Sequence, residues 1–248
     1  MAIEFGLLIV GAYLLGSVPT AYLVGKWFRG IDIRQYGSGN VGVTNLLGLT
    51  SKRLGIPVII FDLGKGAVMV LAAQFVGLSI SQQVIVGLAA IVGHNWPVFL
   101  RFNGGRGVLT TLGIVLTLSL LNNNNLVPWG ILAFCVIFLG NAFIIHNVPL
   151  GVGTGIAALP LVNWGVGEPI PLTLGYLAML VILIVRRLMA PRTSFTATVP
   201  RRQLLINRLL FDRDIRDREA WIHRTPLQAG PAEQPLKQQL KQGKADDK

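Results

Sequence analysis

The chain has 248 residues, 52% hydrophobic and 13% charged, with a net charge of +11, whereas an ordinary soluble domain is about 25% charged. Residues 1–185 hold eight Lys and Arg and four Asp and Glu, and the other 14 bases and seven acids fall in residues 186–248. So few charges cannot clothe a water-facing surface, which excludes a soluble globular enzyme, a disordered chain and a disulfide scaffold. Nucleic-acid binding is excluded as well, because the bases sit at the ends of apolar runs and not on one face of a soluble fold.

In chain order, apolar runs predict membrane-crossing helices over residues 5–25, 56–78, 82–100, 107–121, 126–145, 150–164 and 170–185. Crossing the hydrocarbon takes about 20 residues, so the fourth and sixth, about 15 residues each, are predicted to be short spans. The fold class expected is therefore all-α, polytopic, with seven transmembrane helices. Lys26, Arg29, Arg34, Lys52 and Arg53 follow the first run, Arg101 and Arg106 follow the third, and Arg186 and Arg187 follow the seventh. Segments 79–82, 122–125 and 163–168 carry no Lys or Arg. With alternating spans the bases all fall on one side, which predicts the N-terminus outside and the C-terminus in the cytoplasm.

The opening run reads as a span, not a cleavable signal, since Glu4 is its only charge and Gly16, Ser17 and Pro19 interrupt it. Cys135, mid-run, reads as a small buried hydrophobe. The predicted division is a membrane domain over 1–200, a basic surface-lying cytoplasmic helix over 201–224 and a disordered polar tail over 225–248.

Three clusters carry more polarity than an anchor needs. Gly37, Ser38, Gly39, Asn40, Gly42, Thr44 and Asn45 follow the first run. Alternating glycines allow successive N–H groups to converge on an anion, with side-chain donors alongside; the same composition also suits a solvated loop. Gly104, Gly105, Arg106 and Gly107 lead into the fourth run, where orphan N–H groups, the helix dipole and a guanidinium suit a phosphate. A tight membrane turn with a snorkelling Arg is the other reading. Asp62 and Lys65, three residues apart, share a helix face inside the second run, either as site residues or as a packing ion pair. His94, ending the third run, can donate a hydrogen bond or move a proton. His146 and His223 have no such company, and no residue set has metal-ligand spacing, so neither metal nor cofactor is expected.

On these residues the chain resembles the bacterial acyl-phosphate:glycerol-3-phosphate acyltransferases, the PlsY family. The family's Gly-Ser-Gly-Asn-x-Gly-Ala-Thr-Asn is matched at 37–45 with Val43 for Ala, and its Asp-x-x-Lys-Gly at 62–66. Its Gly-His-x-x-Pro-Val-Phe-Leu-x-Phe-Lys-Gly-Gly-Lys-Gly is matched at 93–107 with Asn103 and Arg106 for the two lysines. The chain departs at Gly48, where the family has Arg, and at Arg202 and Leu205, where the family's third motif has His and Asn.

The resemblance implies acyl transfer from acyl phosphate to the 1-hydroxyl of glycerol 3-phosphate, giving lysophosphatidic acid for phospholipid synthesis. It implies a bacterial inner-membrane enzyme with its site facing the cytoplasm, and membrane lipids as neighbours. Ser38, Arg106 and His94 become the catalytic candidates. Gly37, Gly39, Asn40, Thr44, Asn45, Lys65, Gly104, Gly105 and Gly107 become substrate-binding ones. The departures raise a homologue that binds acyl phosphate or lipid without turnover, and polytopy raises a small transporter.

Overall fold

The computed structural model describes residues 1–122, 127–190, 199–217 and 221, and among them every regular element is helical. The first run is two helices, α1 (Ala2–Gly16) and α2 (Thr20–Arg29). Pro19 brings no N–H and disfavours helical backbone at Val18, so the Thr20 N–H turns to Val18 O at 3.1 Å. Gly16 O is thereby left without a helical donor. A short helix absent from the sequence expectation, α3 (Val43–Leu49), follows, and then α4 (Lys52–Phe75), α5 (Ile80–Asn95) and a single 3₁₀ turn (Val98–Leu100). The chain continues as α6 (Val108–Asn122), α7 (Trp129–Phe143), α8 (Val148–Gly165), α9 (Ile170–Leu188) and α10 (Arg201–Phe211).

Among the described residues, five helices are long and apolar enough to cross a membrane, Ala2–Arg29 counting as one. The short members are α6 and α7, 15 residues each, or about 22 Å at the helical rise. The sixth run, expected to be short, makes an 18-residue helix. It starts early because Pro149 fits a first helical turn and the Asn147 side chain accepts from Leu150 N at 3.1 Å. The basic helix expected over 201–224 stops at Phe211, and α10 is docked against α8 and α9, with Leu204, Asn207 and Arg208 its buried residues. Residues 225–248, expected to be a disordered tail, lie outside the described residues. Cys135 is exposed on the outside of α7, not buried: that helix buries only Gly130 and Phe134.

The core runs along α5, which touches α1, α4, α6 and α9, while α7 and α8 pack together at one flank. Small residues permit these crossings. A β-carbon on Gly16 would run into Ala90 O, and one on Gly93 would run into Tyr13 O. Around this core, Leu7, Val10, Ile60, Leu71, Leu132 and Val181 are among many apolar side chains facing outward, as helices immersed in lipid require. The far end of the bundle is tied by neutral pairs such as Gln83 Nε2 to Gln74 Oε1 and Ser119 Oγ with Tyr176 Oη. Nearly all described charge collects at the opposite end, around α2, the start of α4, the end of α9 and α10.

Candidate active site

The break in the first span is the first wall of the site. Lys65 reaches from α4 and donates to Gly16 O at 3.0 Å and Val18 O at 3.4 Å, while its Nζ lies 2.8 Å from Asp62 Oδ1. Asp62 Oδ1 also accepts from Thr20 Oγ1 at 3.4 Å. Both charged residues are 3% exposed, and the pairing answers a cost that neither could bear alone in an apolar span. The i, i+3 spacing read from the sequence does bring them together. Their backbone partners carry no sequence signature.

His94 sits beside this pair. Its Nδ1 lies 3.7 Å from Asp62 Oδ1, too far for a hydrogen bond and close enough for charge to be felt. Gly105 presses on the other edge of the ring: a β-carbon there would collide with His94 Nε2 and stand 2.6 Å from Val41 O. The first and second motifs therefore meet at Gly105. A narrow cleft opens beside them, lined by Gly16, Thr20, Val41, Asp62, His94 and Gly104 among others.

The glycine loop is shaped from both sides. Gly104 N donates to Asn95 O at 3.2 Å and Gly105 N to His94 O at 3.1 Å, so both amides are engaged with the end of α5. The carbonyls of the same two residues accept from Arg186, Gly105 O from Nε at 2.9 Å and Gly104 O from Nη2 at 2.7 Å. Arg186 also reaches Asn103 Oδ1 at 3.3 Å. Gly107 has φ +72, and a β-carbon on it would stand 2.6 Å from Asn95 Oδ1. Asn95 is fully buried, and neither atom of its amide has a hydrogen-bond partner among the described residues.

Of the first-motif residues, Gly37 and Gly39 take positive φ, 54° and 68°, and make the turn that glycine allows. Asn45 is a brace: its Oδ1 accepts from Ser38 N at 2.9 Å, and its Nδ2 donates to Ile33 O at 2.8 Å and Tyr36 O at 3.2 Å. Ser38 Oγ accepts from Asn40 N at 3.3 Å. Thr44 is exposed at the start of α3. Beside the motif, Arg34 clasps Asp32 at 2.6 Å and lies 4.9 Å from the Tyr22 ring centroid. The Arg34 side chain hydrogen bond holds the Asp32 carboxyl below its ordinary range, against a smaller opposing effect of burial.

Arg106 turns away from the cleft toward α9 and α10. Its Nη1 donates to Arg186 O at 3.3 Å and Arg187 O at 3.4 Å, and its Nε lies 3.2 Å from Asp212 Oδ1. That last contact is Coulombic, since neither atom has a hydrogen bond of acceptable geometry. Arg187 donates to Pro149 O and Leu209 O, each at 3.0 Å. Arg208 holds α10 in place through Leu188 O at 2.7 Å and Asp214 Oδ1 at 2.7 Å. Sequence reading missed Arg186, Asp212 and Thr20; it saw Arg186 only as a topology marker, because a guanidinium serving carbonyls looks no different in a sequence. Arg202 and Leu205, at the third-motif departures, are both exposed on α10.

A family model described as glycerol-3-phosphate acyltransferase matches residues 6–192. The chain is 43% identical over 243 residues to glycerol-3-phosphate acyltransferase 5 of Dehalococcoides mccartyi, covering 94% of this chain and 98% of that one. It is 45% identical over 230 residues to glycerol-3-phosphate acyltransferase 4 from another strain of that species, covering 90% and 95%. The crystal structure of PlsY (YgiH), an integral membrane glycerol 3-phosphate acyltransferase in its glycerol 3-phosphate form, is similar with a TM-score of 0.66 and 31% identity, over 74% of this chain and 88% of that one. Its lysophosphatidic acid form is similar with a TM-score of 0.64.

Proposed function

Because this chain belongs to the glycerol-3-phosphate acyltransferase family, we propose that it transfers a fatty acyl group from acyl phosphate to the 1-hydroxyl of glycerol 3-phosphate. The observation that carries the reading is the meeting of Val41 O and the His94 ring at Gly105, which joins two distant motifs beside a cleft. The hydroxyl oxygen attacks the acyl carbon, the bond from that carbon to the phosphate oxygen breaks, and inorganic phosphate leaves. No covalent enzyme intermediate is needed, because phosphate is already a good leaving group. The hydroxyl proton passes to an oxygen of a substrate phosphate.

Positioning and charge neutralisation then supply most of the acceleration. Ser38 positions the acyl phosphate, and Arg106, on leaving its contacts with α9 and Asp212, neutralises phosphate charge at the mouth of α6. His94 orients the acceptor from the cleft, with Asp62 behind it. Asn40, Thr44 and the N–H groups that begin α6 at Gly107 serve as further donors. Lys65 and Asn45, whose donors are engaged within the protein, act by holding the walls. Gly104 and Gly105 act through the room they leave and the carbonyls they give to Arg186. The chain crosses the inner membrane of a bacterium seven times, α6 and α7 being the short spans, with the N-terminus outside and the site and α10 in the cytoplasm. The alternation of basic and base-free loops supports that orientation.

The test is direct. Purified protein given palmitoyl phosphate and glycerol 3-phosphate should form lysophosphatidic acid; no product above a heat-killed control, over several chain lengths, overturns the reading.

A further inference from the structure

We propose that Asp212 competes with substrate phosphate for Arg106, a built-in carboxylate that occupies the guanidinium until a phosphate displaces it. The proposal rests on the reading that Arg106 meets a substrate phosphate, and it adds what competes for that arginine.

Arg106 is held differently from its neighbours. Its described contacts are 3.2, 3.3 and 3.4 Å. Arg186 and Arg187 make bonds of 2.7 to 3.0 Å to backbone carbonyls. Arg208 grips Asp214 at 2.7 Å with a second contact of 3.3 Å in the fork geometry, the arrangement that locks a guanidinium to a carboxylate. Arg106 and Asp212 approach without such alignment. Three arginines are therefore fixed by the fold, and the one at the glycine loop is only loosely kept.

Asp212 is presented on purpose-built backbone. It ends α10 in the left-handed conformation, φ 52 and ψ 36, which among residues with a β-carbon Asp is one of the few to accept readily. Both sides of it are pinned: Arg208 precedes it, Asp214 follows, and Asn207 Nδ2 donates to Asp214 O at 3.0 Å. Its carboxylate is also 4.0 Å from Arg187 Nε. Without it, Arg106 and Arg187 would face each other at the site uncompensated. A carboxylate offers two oxygens and one charge, and a phosphate ester dianion offers three oxygens and up to two charges. The dianion is thus the stronger partner for the same guanidinium, and Asp212 sets how strong an anion must be to claim it.

Asp212→Asn in the full-length protein tests this, with KM read separately for glycerol 3-phosphate and acyl phosphate, and inhibition read with inorganic phosphate. Removing the competing charge should lower KM for at least one phosphate substrate about fivefold, and the inhibitory concentration of inorganic phosphate by a similar factor, with a smaller change in kcat. Asp212→Glu should return both toward the starting values. Unchanged values in Asp212→Asn, or a rise in KM, overturn the proposal. Should Asp212→Asn fail to fold, hydrogen exchange on the unaltered protein decides: inorganic phosphate should speed exchange in 208–214, and no change there overturns the proposal. Arg106→Ala separates the two readings. If it leaves turnover and phosphate inhibition intact, the phosphate seat itself is wrong. If it removes both while Asp212→Asn shifts nothing, only the role of Asp212 falls.

Discussion

Lys65 closes a gap that Pro19 opens: its Nζ stands 3.0 Å from Gly16 O, the carbonyl left behind where the first span breaks. The same ammonium is 2.8 Å from Asp62 Oδ1, so one side chain answers both a bare carbonyl and a buried acid. Lys65→Met strands both. It should destabilise the protein by about 3–5 kcal/mol, as breaking one side of a buried pair does. Adding Asp62→Leu should recover part of that loss, because no lone charge then remains. Thermal unfolding of the two single variants and the double variant checks the coupling, and strictly additive losses would count against it.

Arg106 stands where the resembling family has Lys, and its charge is the part that matters to a phosphate. Arg106→Ala should cut kcat/KM at least about a hundredfold, the scale of losing one charged donor to a developing or leaving anion. Arg106→Lys should keep most activity, with a higher KM from the loss of the fork. Initial rates with both substrates varied distinguish the outcomes.

Gly105 leaves no room beside His94. Gly105→Ala should push the imidazole off its place and reduce kcat about a hundredfold, with the fold retained. Gly140→Ala is the matched control: nothing lies within 4 Å of a β-carbon there, and alanine is favoured over glycine in a helix by roughly 0.5–1 kcal/mol. Equal activity loss in both variants would argue against a specific clash.

Asp32 makes the loop before the first motif sensitive to acid. Its carboxyl titrates below the usual 3.8 because Arg34 hydrogen-bonds it. A depressed folded pKa means a contribution that is complete above the unfolded value and lost as pH falls through the folded one. Asp32→Asn should therefore cost stability at neutral pH, about 0.5 kcal/mol for so exposed a pair. The difference from the unaltered protein should shrink as pH falls below 3.8 and vanish once pH has passed the lowered folded value. Melting curves from pH 7 downward report it, and a gap that persists in acid would assign the loss to shape and not charge.

The helices were legible because lipid imposes a simple rule on composition. Pro19 and Gly16 even marked the interruption of the first span. The ion pair of Asp62 and Lys65 was legible from spacing alone. What lay hidden were bonds to backbone atoms: the carbonyls of Gly16, Gly104 and Gly105 carry no mark in a sequence, so Lys65 and Arg186 could not be seen as clamps. The glycine loop misled for a related reason. Its glycines suit a cradle for an anion, and two of them are also demanded by His94 and Pro97 packing close by. The length of α10 was misjudged because basic composition continues past Phe211, while the left-handed turn at Asp212 ends the helix.

The docking of α10 bears on modularity. The family pattern ends at residue 192, yet Arg106 and Arg187 find their carboxylate at Asp212, and Arg187 donates to Leu209 O. A chain trimmed to the recognisable core would keep the motifs matched at 37–45, 62–66 and 93–107 and lose the counter-charge of its own arginines. The unit that keeps these arginines compensated is longer than the unit that the family pattern delimits.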